Sequence, residues 1–165
     1  MYLSLGSNLG DRVGYVQQAT SLLSANPDIS IVATSSFYET EPWQMTSENW
    51  FVNAVVQITT NLSPEALLDE CQRIETVLGR IKDPDEKGGY KDRTVDIDII
   101  FYDKKIMKSE RLTIPHPFFH KRVFMLVPML EIAGDFVHPV FDKTVEQLYD
   151  DLENPEMVYL YGTRG

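Results

Sequence analysis

The sequence predicts an α+β fold: a ferredoxin-like βαββαβ antiparallel sheet with its helices on one face and a C-terminal extension that completes a functional site. Segments with the β-branched composition of strands alternate with segments whose apolar residues recur at helical spacing, and their order is that of the ferredoxin-like arrangement. A chain of 165 residues, 43% of them hydrophobic, has the size of one domain. Residues 1–165 are therefore predicted to form a single domain.

Composition excludes several classes of protein. A net charge of −10 argues against a nucleic-acid-binding protein, because such proteins carry a basic face. The one cysteine, Cys71, cannot form an internal disulfide, and its place in an apolar helical stripe predicts a buried thiol. No apolar run reaches the length of a membrane span, and no charged-then-apolar leader precedes Tyr2. We expect a cytoplasmic monomer that binds neither nucleic acid nor membrane.

The first half of the chain alternates strands and helices. A strand is predicted at 2–6, and the cap residues after it lead into a helix that ends near Ala25. The β-branched segment 29–38 is predicted to be one strand and 51–60 the next. The polar segment between them, 39–49, has the length of a functional loop.

The second helix and the C-terminal third follow from caps and periodicity. Ser63 and Pro64 are a favourable helix start, and Gly79 is a favourable stop. The apolar positions between them are Leu67, Cys71, Ile74 and Leu78. The remaining predicted elements are an extended segment at 111–117, helices at 123–133 and 142–152, and a late strand at 157–161.

The chain is organised around the segment 93–101. Strand periodicity places Val95, Ile97 and Ile99 on one face and Asp96 and Asp98 on the other. Two carboxylates in this relation can hold hard cations such as Mg²⁺ that bridge phosphate oxygens, although an edge strand with a solvated acidic face would show the same pattern. The surrounding cations favour a polyphosphate site; they are Arg80, Lys82, Arg93, Arg111, His116, Lys121 and Arg122.

A series of short motifs, in order along nearly the whole chain, makes this sequence similar to one enzyme family. The motifs are Leu5-Gly6-Ser7-Asn8-Leu9, Ser36-Phe37-Tyr38-x-Thr40, Asn53-Ala54, Gln72-Arg73-Ile74-Glu75, Gly79-Arg80, Arg93-Thr94-Val95-Asp96-Ile97-Asp98-Ile99, Pro115-His116 with Arg122, and Phe124-Met125-Leu126-x-Pro128. The chain thereby resembles 6-hydroxymethyl-7,8-dihydropterin pyrophosphokinase (2-amino-4-hydroxy-6-hydroxymethyldihydropteridine diphosphokinase). That folate-pathway family transfers pyrophosphate from ATP to the hydroxymethyl group of the pterin and releases AMP.

The resemblance implies two Mg²⁺ ions, ATP as co-substrate, and a role for each matched residue. The implied metal ligands are Asp96 and Asp98, and the implied catalytic residues are these two with Arg80, Lys82, Arg93 and Arg122. The implied ATP-binding residues are Gln72, Lys82, Tyr90, Ile99, Arg111, Leu112, His116 and Arg122. The implied pterin-binding residues are Thr40, Pro42, Trp43, Phe51, Asn53, Glu75, Asp96 and Phe124.

Several of these residues also fit plain structural roles. Asn53 is unfavourable in a strand, and either an exposed edge position or a binding role accounts for it. His116 between two prolines could be a rigid turn residue, and either phenylalanine could be plain core. A metal-dependent phosphohydrolase using the two aspartates, or a regulatory module that binds nucleotide without turnover, are the alternative functions. The polar loop 82–92 is expected to be a lid that closes over both substrates.

Overall fold

The computed structural model describes residues 1–41, 50–79 and 94–163. The strands are β1 (Tyr2–Ser7), β2 (Ile29–Thr34), β3 (Tyr38–Thr40), β4 (Phe51–Thr60), β5 (Asp96–Phe101), β6 (Met107–Lys108), β7 (Thr113–Ile114) and β8 (Val158–Leu160). The helices are α1 (Arg12–Ala25), α2 (Pro64–Val77), α3 (Val123–Ala133) and α4 (Val145–Asp150), with a short 3-10 helix at Phe119–Lys121 before α3.

The main sheet is antiparallel, which confirms the predicted α+β class. Its hydrogen-bonded order is β5-β1-β4-β3-β8, and β2 also pairs with β4. Strands β1 and β4 are therefore interior, and β5, which carries the two aspartates, lies at an edge of the sheet in the described part of the chain. A separate two-stranded sheet joins β6 and β7.

The prediction of one strand at 29–38 was wrong, because this segment forms two strands that both pair with β4. The break is at Ser35, whose backbone N–H donates to the Val55 carbonyl at 2.8 Å while its hydroxyl accepts from the Val55 N–H at 2.9 Å. A side-chain oxygen thus replaces the backbone acceptor of the strand ladder, and the chain changes direction before β3.

Helices cover both faces of the sheet. On one face, Val16 and Leu23 of α1 and Leu67 and Ile74 of α2 pack with Leu5 of β1 in one buried cluster. On the other face, helices α3 and α4 form a second cluster with the sheet; its members include Val55, Ile100, Met125, Met129 and Leu148. The first two helices thus share one face, as predicted, and the C-terminal third packs on the other. None of the helices in the described ranges has the length and apolarity needed to cross a membrane.

The predicted start and end of the second helix are confirmed in α2. The Ser63 hydroxyl accepts from the Ala66 N–H at 3.2 Å, Pro64 is the first helical residue, and Gly79 after the helix has a φ of +104°. Cys71 is fully buried, as predicted. The helix predicted at 142–152 is shorter, because the capping box of Thr144 starts α4 at the next residue.

Candidate active site

A pocket opens on the face of the sheet that α3 covers, where β3, β4, β1 and β5 lie side by side. Its lining residues are Ser4, Gly6, Thr40, Glu41, Phe51, Asn53, Asp96, Asp98 and Phe124. Six of these were predicted site residues: Thr40, Phe51, Asn53, Asp96, Asp98 and Phe124. Sequence reasoning missed Ser4, Gly6 and Glu41.

Strand register brings the pocket residues together. Gly6 on β1 lies opposite Asn53 on β4 and opposite Asp96 on β5. Two strand spacings, about 10 Å, therefore separate the backbones of Asn53 and Asp96. One step along the same face, Ser4 lies opposite Asp98. The floor of the pocket is thus an amide on one side, carboxylates on the other, and small residues between them.

Asn53 is buried in an interior strand, so its explanation as an exposed edge residue is wrong. The residue is 3% exposed, and its Nδ2 donates to the Thr40 hydroxyl at 2.6 Å. A Cβ atom on Gly6 would lie only 2.6 Å from the Asn53 Oδ1. Glycine is therefore needed at position 6 for this amide to lie across β1.

Two phenylalanines wall the pocket, one from the sheet and one from α3. Phe51 and Phe124 are both half-buried. The guanidinium of Arg122 lies 5.7 Å from the centre of the Phe124 ring and 5.1 Å from that of Phe118. Burial lowers the pKa of Arg122 to about 10. Arg122 therefore keeps its positive charge at neutral pH, beside the aromatic wall.

Asp96 and Asp98 share the pocket face of β5, as the alternation predicted. The edge-strand explanation is right about the strand's position but wrong about solvation, since both residues are half-buried. Within the described residues no cluster of three or more histidine, cysteine or acidic side chains could hold a metal ion. A pair of carboxylates suits Mg²⁺, which takes one or two protein carboxylates and completes its shell with phosphate oxygens and waters.

His116 lies within electrostatic range of Asp96 and is neutral. Its backbone N–H donates to the Ile100 carbonyl at 2.9 Å, and its Nδ1 accepts from the Phe118 N–H at 3.2 Å. With Nδ1 an acceptor, we assign the proton to Nε2. Burial lowers the pKa of His116 to about 4, against an opposing effect of Asp96. His116 is therefore an uncharged hydrogen-bond donor at neutral pH.

Several predicted ATP-binding residues lie near the outer edge of β5. Arg111 Nη2 lies 2.5 Å from Asp69 Oδ1 and 3.5 Å from Gln72 Oε1 on the surface of α2. Leu112 beside it is half-buried. The side chain of Ile99 is 3% exposed in the core between sheet and helices, so only its backbone is left for a ligand at this edge.

Glu75 does not line the pocket. It is 3% exposed on α2, and its Oε2 accepts from the N–H of Ile97 at 2.9 Å. Ile97 lies between the two aspartates, so Glu75 holds the backbone of β5 at the point from which both metal-binding candidates project.

Six predicted site residues lie outside the described residues: Pro42, Trp43, Arg80, Lys82, Tyr90 and Arg93. The predicted lid at 82–92 lies outside them as well. Alternation along β1 puts two of the missed residues, Ser4 and Gly6, on one face, but only the flanking strands show that this face lines the pocket. Glu41 had no such signal in the sequence; its Oε1 accepts from the Met157 N–H at 2.9 Å, next to β8.

Comparisons with known proteins agree with the motifs. The chain is 43% identical over 136 residues to 2-amino-4-hydroxy-6-hydroxymethyldihydropteridine pyrophosphokinase of Methylorubrum extorquens, covering 82% of this chain and 84% of that protein. It is 42% identical over 165 residues to folic acid synthesis protein fol1 of Pneumocystis carinii, covering 98% of this chain. This chain spans only 22% of the length of the fungal relative.

The fold has solved counterparts too. A crystal structure of HPPK-DHPS from Plasmodium falciparum superposes with a TM-score of 0.69 at 16% identity, covering 90% of this chain and 44% of that one. The model of the family described as 7,8-dihydro-6-hydroxymethylpterin-pyrophosphokinase (HPPK) matches residues 2–134. By this match and by the identity to its bacterial relative, the chain belongs to the 7,8-dihydro-6-hydroxymethylpterin-pyrophosphokinase family.

Proposed function

We propose that this protein transfers pyrophosphate from ATP to the hydroxymethyl group of 6-hydroxymethyl-7,8-dihydropterin, giving the pterin diphosphate and AMP in folate biosynthesis. The observation that carries the proposal is the pocket that a buried amide, two phenylalanines and two carboxylates line together. The two phenylalanines offer ring faces to a flat heterocycle, and the carboxylates lie on the side of the pocket toward which its substituent would extend.

The pterin is bound by complementary chemistry. Phe51 and Phe124 offer apolar faces for stacking. Asn53, fixed by its bond to Thr40, presents its remaining donor and acceptor capacity to the edge of the ring. A buried, pre-oriented amide discriminates strongly between ligands, because a ring without matching polar atoms would leave the amide without hydrogen-bond partners.

Asp96 and Asp98 are the residues that would hold Mg²⁺, with two ions proposed from the family resemblance. Bound there, the ions supply positive charge that neutralises the phosphate oxygens in the transition state. His116, which interacts electrostatically with Asp96, and Arg122, which lies beside the Phe124 ring, carry N–H donors that suit phosphate oxygens.

The reaction joins the hydroxymethyl oxygen to the β-phosphorus and breaks the bond between that phosphorus and the oxygen that leaves with AMP. The hydroxyl proton is lost as the new bond forms. The protein's own contribution is to orient the pterin hydroxyl in line with the leaving oxygen and to hold charge around the phosphates. Proposed roles for Arg80, Lys82, Tyr90, Arg93, Pro42 and Trp43 rest on the family resemblance alone.

We further propose a single domain over residues 1–165 that acts as a cytoplasmic monomer. In longer relatives such as the fungal protein, the corresponding segment is one part of a larger chain. The bacterial relative is matched over 84% of its own length, which supports assigning the activity to this segment.

The test is to incubate the protein with MgATP and 6-hydroxymethyl-7,8-dihydropterin and to resolve the products. We expect AMP and pterin diphosphate in equal amounts, and neither product without pterin. ADP as the nucleotide product, or phosphate release with no pterin diphosphate, would contradict the proposal and favour a hydrolase. The matched control is Asp96→Ala, which should form neither product.

A further inference from the structure

Ser4 places a buried hydroxyl on the floor of the pocket. The residue is 3% exposed and lines the pocket with Gly6, its neighbour on the same face of β1. The family motifs begin at Leu5 and assign no role to Ser4.

The Ser4 hydroxyl has no hydrogen-bond partner among residues 1–41, 50–79 and 94–163, although other buried serines do. Ser7 donates to the Leu9 carbonyl at 3.4 Å, and Ser35 donates to the Ser36 carbonyl at 2.8 Å. The small exposed area of Ser4 opens on the pocket, so a ligand bound there can replace water as the partner of this hydroxyl. The open space that Ser4 faces is the pocket, which points to a partner in the bound complex.

The position of Ser4 indicates which part of a ligand it meets. Its neighbour across the strands is Asp98 on one side and Val55 on the other. Asn53, the amide that reads the ring edge, lies one step away along the face, opposite Gly6. A ring whose edge is bound by Asn53 and which extends toward the aspartates therefore places its reactive substituent next to Ser4. The edge that Asn53 binds lies farther away.

We propose that the Ser4 hydroxyl hydrogen-bonds the hydroxymethyl oxygen of the pterin and orients it for transfer. This rests on the proposed function, which supplies the identity of the ligand. As a donor, Ser4 engages a lone pair of the substrate oxygen that is not used in forming the new bond to phosphorus. Ser4 then favours binding of pterins that carry this hydroxyl over pterins that lack it.

The proposal predicts effects of opposite sign on folding and on binding. Ser4→Ala removes a group that has no described protein partner, so the free protein should be as stable as wild type or more stable. The same change should weaken binding of 6-hydroxymethyl-7,8-dihydropterin by about tenfold, the cost of one hydrogen bond to ligand. Affinity for 6-methyl-7,8-dihydropterin, which lacks the oxygen, should stay at the wild-type value.

The experiment combines urea unfolding of the ligand-free proteins with calorimetric titration of each pterin in the presence of Mg²⁺ and a non-hydrolysable ATP analogue. Ser30→Ala, which removes an exposed strand hydroxyl, is the matched control and should change neither measurement. The nucleotide affinity of both variants, titrated separately, should also equal that of wild type.

Different results overturn different statements. Loss of stability with unchanged pterin affinity would make Ser4 a structural residue and overturn the inference. Equal weakening of both pterins would do so as well, because the contact would then be to the ring. A wild-type protein that binds neither pterin would overturn the proposed function together with the inference. A wild-type protein that binds both, with no effect of Ser4→Ala, overturns the inference alone.

Discussion

Replacing Gly6 by alanine should impair the pterin site through Asn53. The added Cβ would lie 2.6 Å from Asn53 Oδ1 and 3.6 Å from Phe51 Cδ1, so the amide has to move. Movement of the amide breaks or lengthens its 2.6 Å hydrogen bond to the Thr40 hydroxyl and turns it from the ligand. Losing one buried hydrogen bond costs on the order of 1–3 kcal/mol. Pterin affinity should fall roughly tenfold to a hundredfold, since about 1.4 kcal/mol is a factor of ten.

A double-mutant cycle tests whether the effect passes through this amide. Pterin and ATP-analogue affinities are measured by calorimetry for wild type, Gly6→Ala, Asn53→Ala and the double variant. Each single change should weaken pterin binding far more than nucleotide binding. In the Asn53→Ala background, Gly6→Ala should cost little more, because the atom with which it collides is gone.

Two results would refute this reasoning. Additive losses in the double variant would mean that Gly6 acts independently of Asn53. Equal losses of pterin and nucleotide affinity would mean that the substitution disturbs the sheet as a whole and not the amide.

The carboxylates, a buried histidine and the cysteine give three further expectations. Asp96→Ala or Asp98→Ala should abolish most turnover while the midpoint of thermal unfolding stays near wild type, since each residue is half-buried at a sheet edge; near-normal kcat at saturating Mg²⁺ would contradict this. Burial lowers the pKa of His138 to about 4 from 6.5. The neutral imidazole should therefore contribute its full share of the free energy of unfolding above pH 6.5. Between pH 6.5 and pH 4 that contribution should fall by at most about 1.4 kcal/mol per pH unit. His138→Gln should reduce the acid-side slope of stability against pH in urea titrations, and an unchanged slope would show that other groups cause it. Burial raises the pKa of the Cys71 thiol, so a thiol reagent should modify it only after unfolding, and rapid modification of the native protein would argue against its burial.

The elements of the fold and the face of each side chain could be predicted, because they depend on local periodicity. Alternation sufficed to put Asp96 and Asp98 on one face, and helical spacing sufficed to bury Cys71. The break at Ser35 could not be foreseen, since a serine hydroxyl that binds a neighbouring strand looks the same in sequence as any strand serine.

Site residues that belong to a recognisable motif could be predicted from the sequence. Site residues whose role depends on the register of neighbouring strands could not. Motif resemblance named Asn53 and Phe124, but nothing local reveals that Gly6 lies opposite both Asn53 and Asp96. Ser4 was missed for the same reason, because the strands that flank β1 decide whether the face that carries Ser4 lines a pocket. Glu75 was expected to bind the pterin, yet it lies against the backbone of β5, a contact that only tertiary packing creates.

The bond from Glu75 to the N–H of Ile97 also bears on self-association. An edge strand can recruit the edge of a second copy, and β5 is an edge strand in the described part of the chain. A second copy could pair there only by displacing the Glu75 carboxylate from a bond of 2.9 Å. It would also bring Asp96 and Asp98 against an identical acidic edge. The charge of the two aspartates and the contact from α2 therefore both oppose pairing of this strand with a second copy.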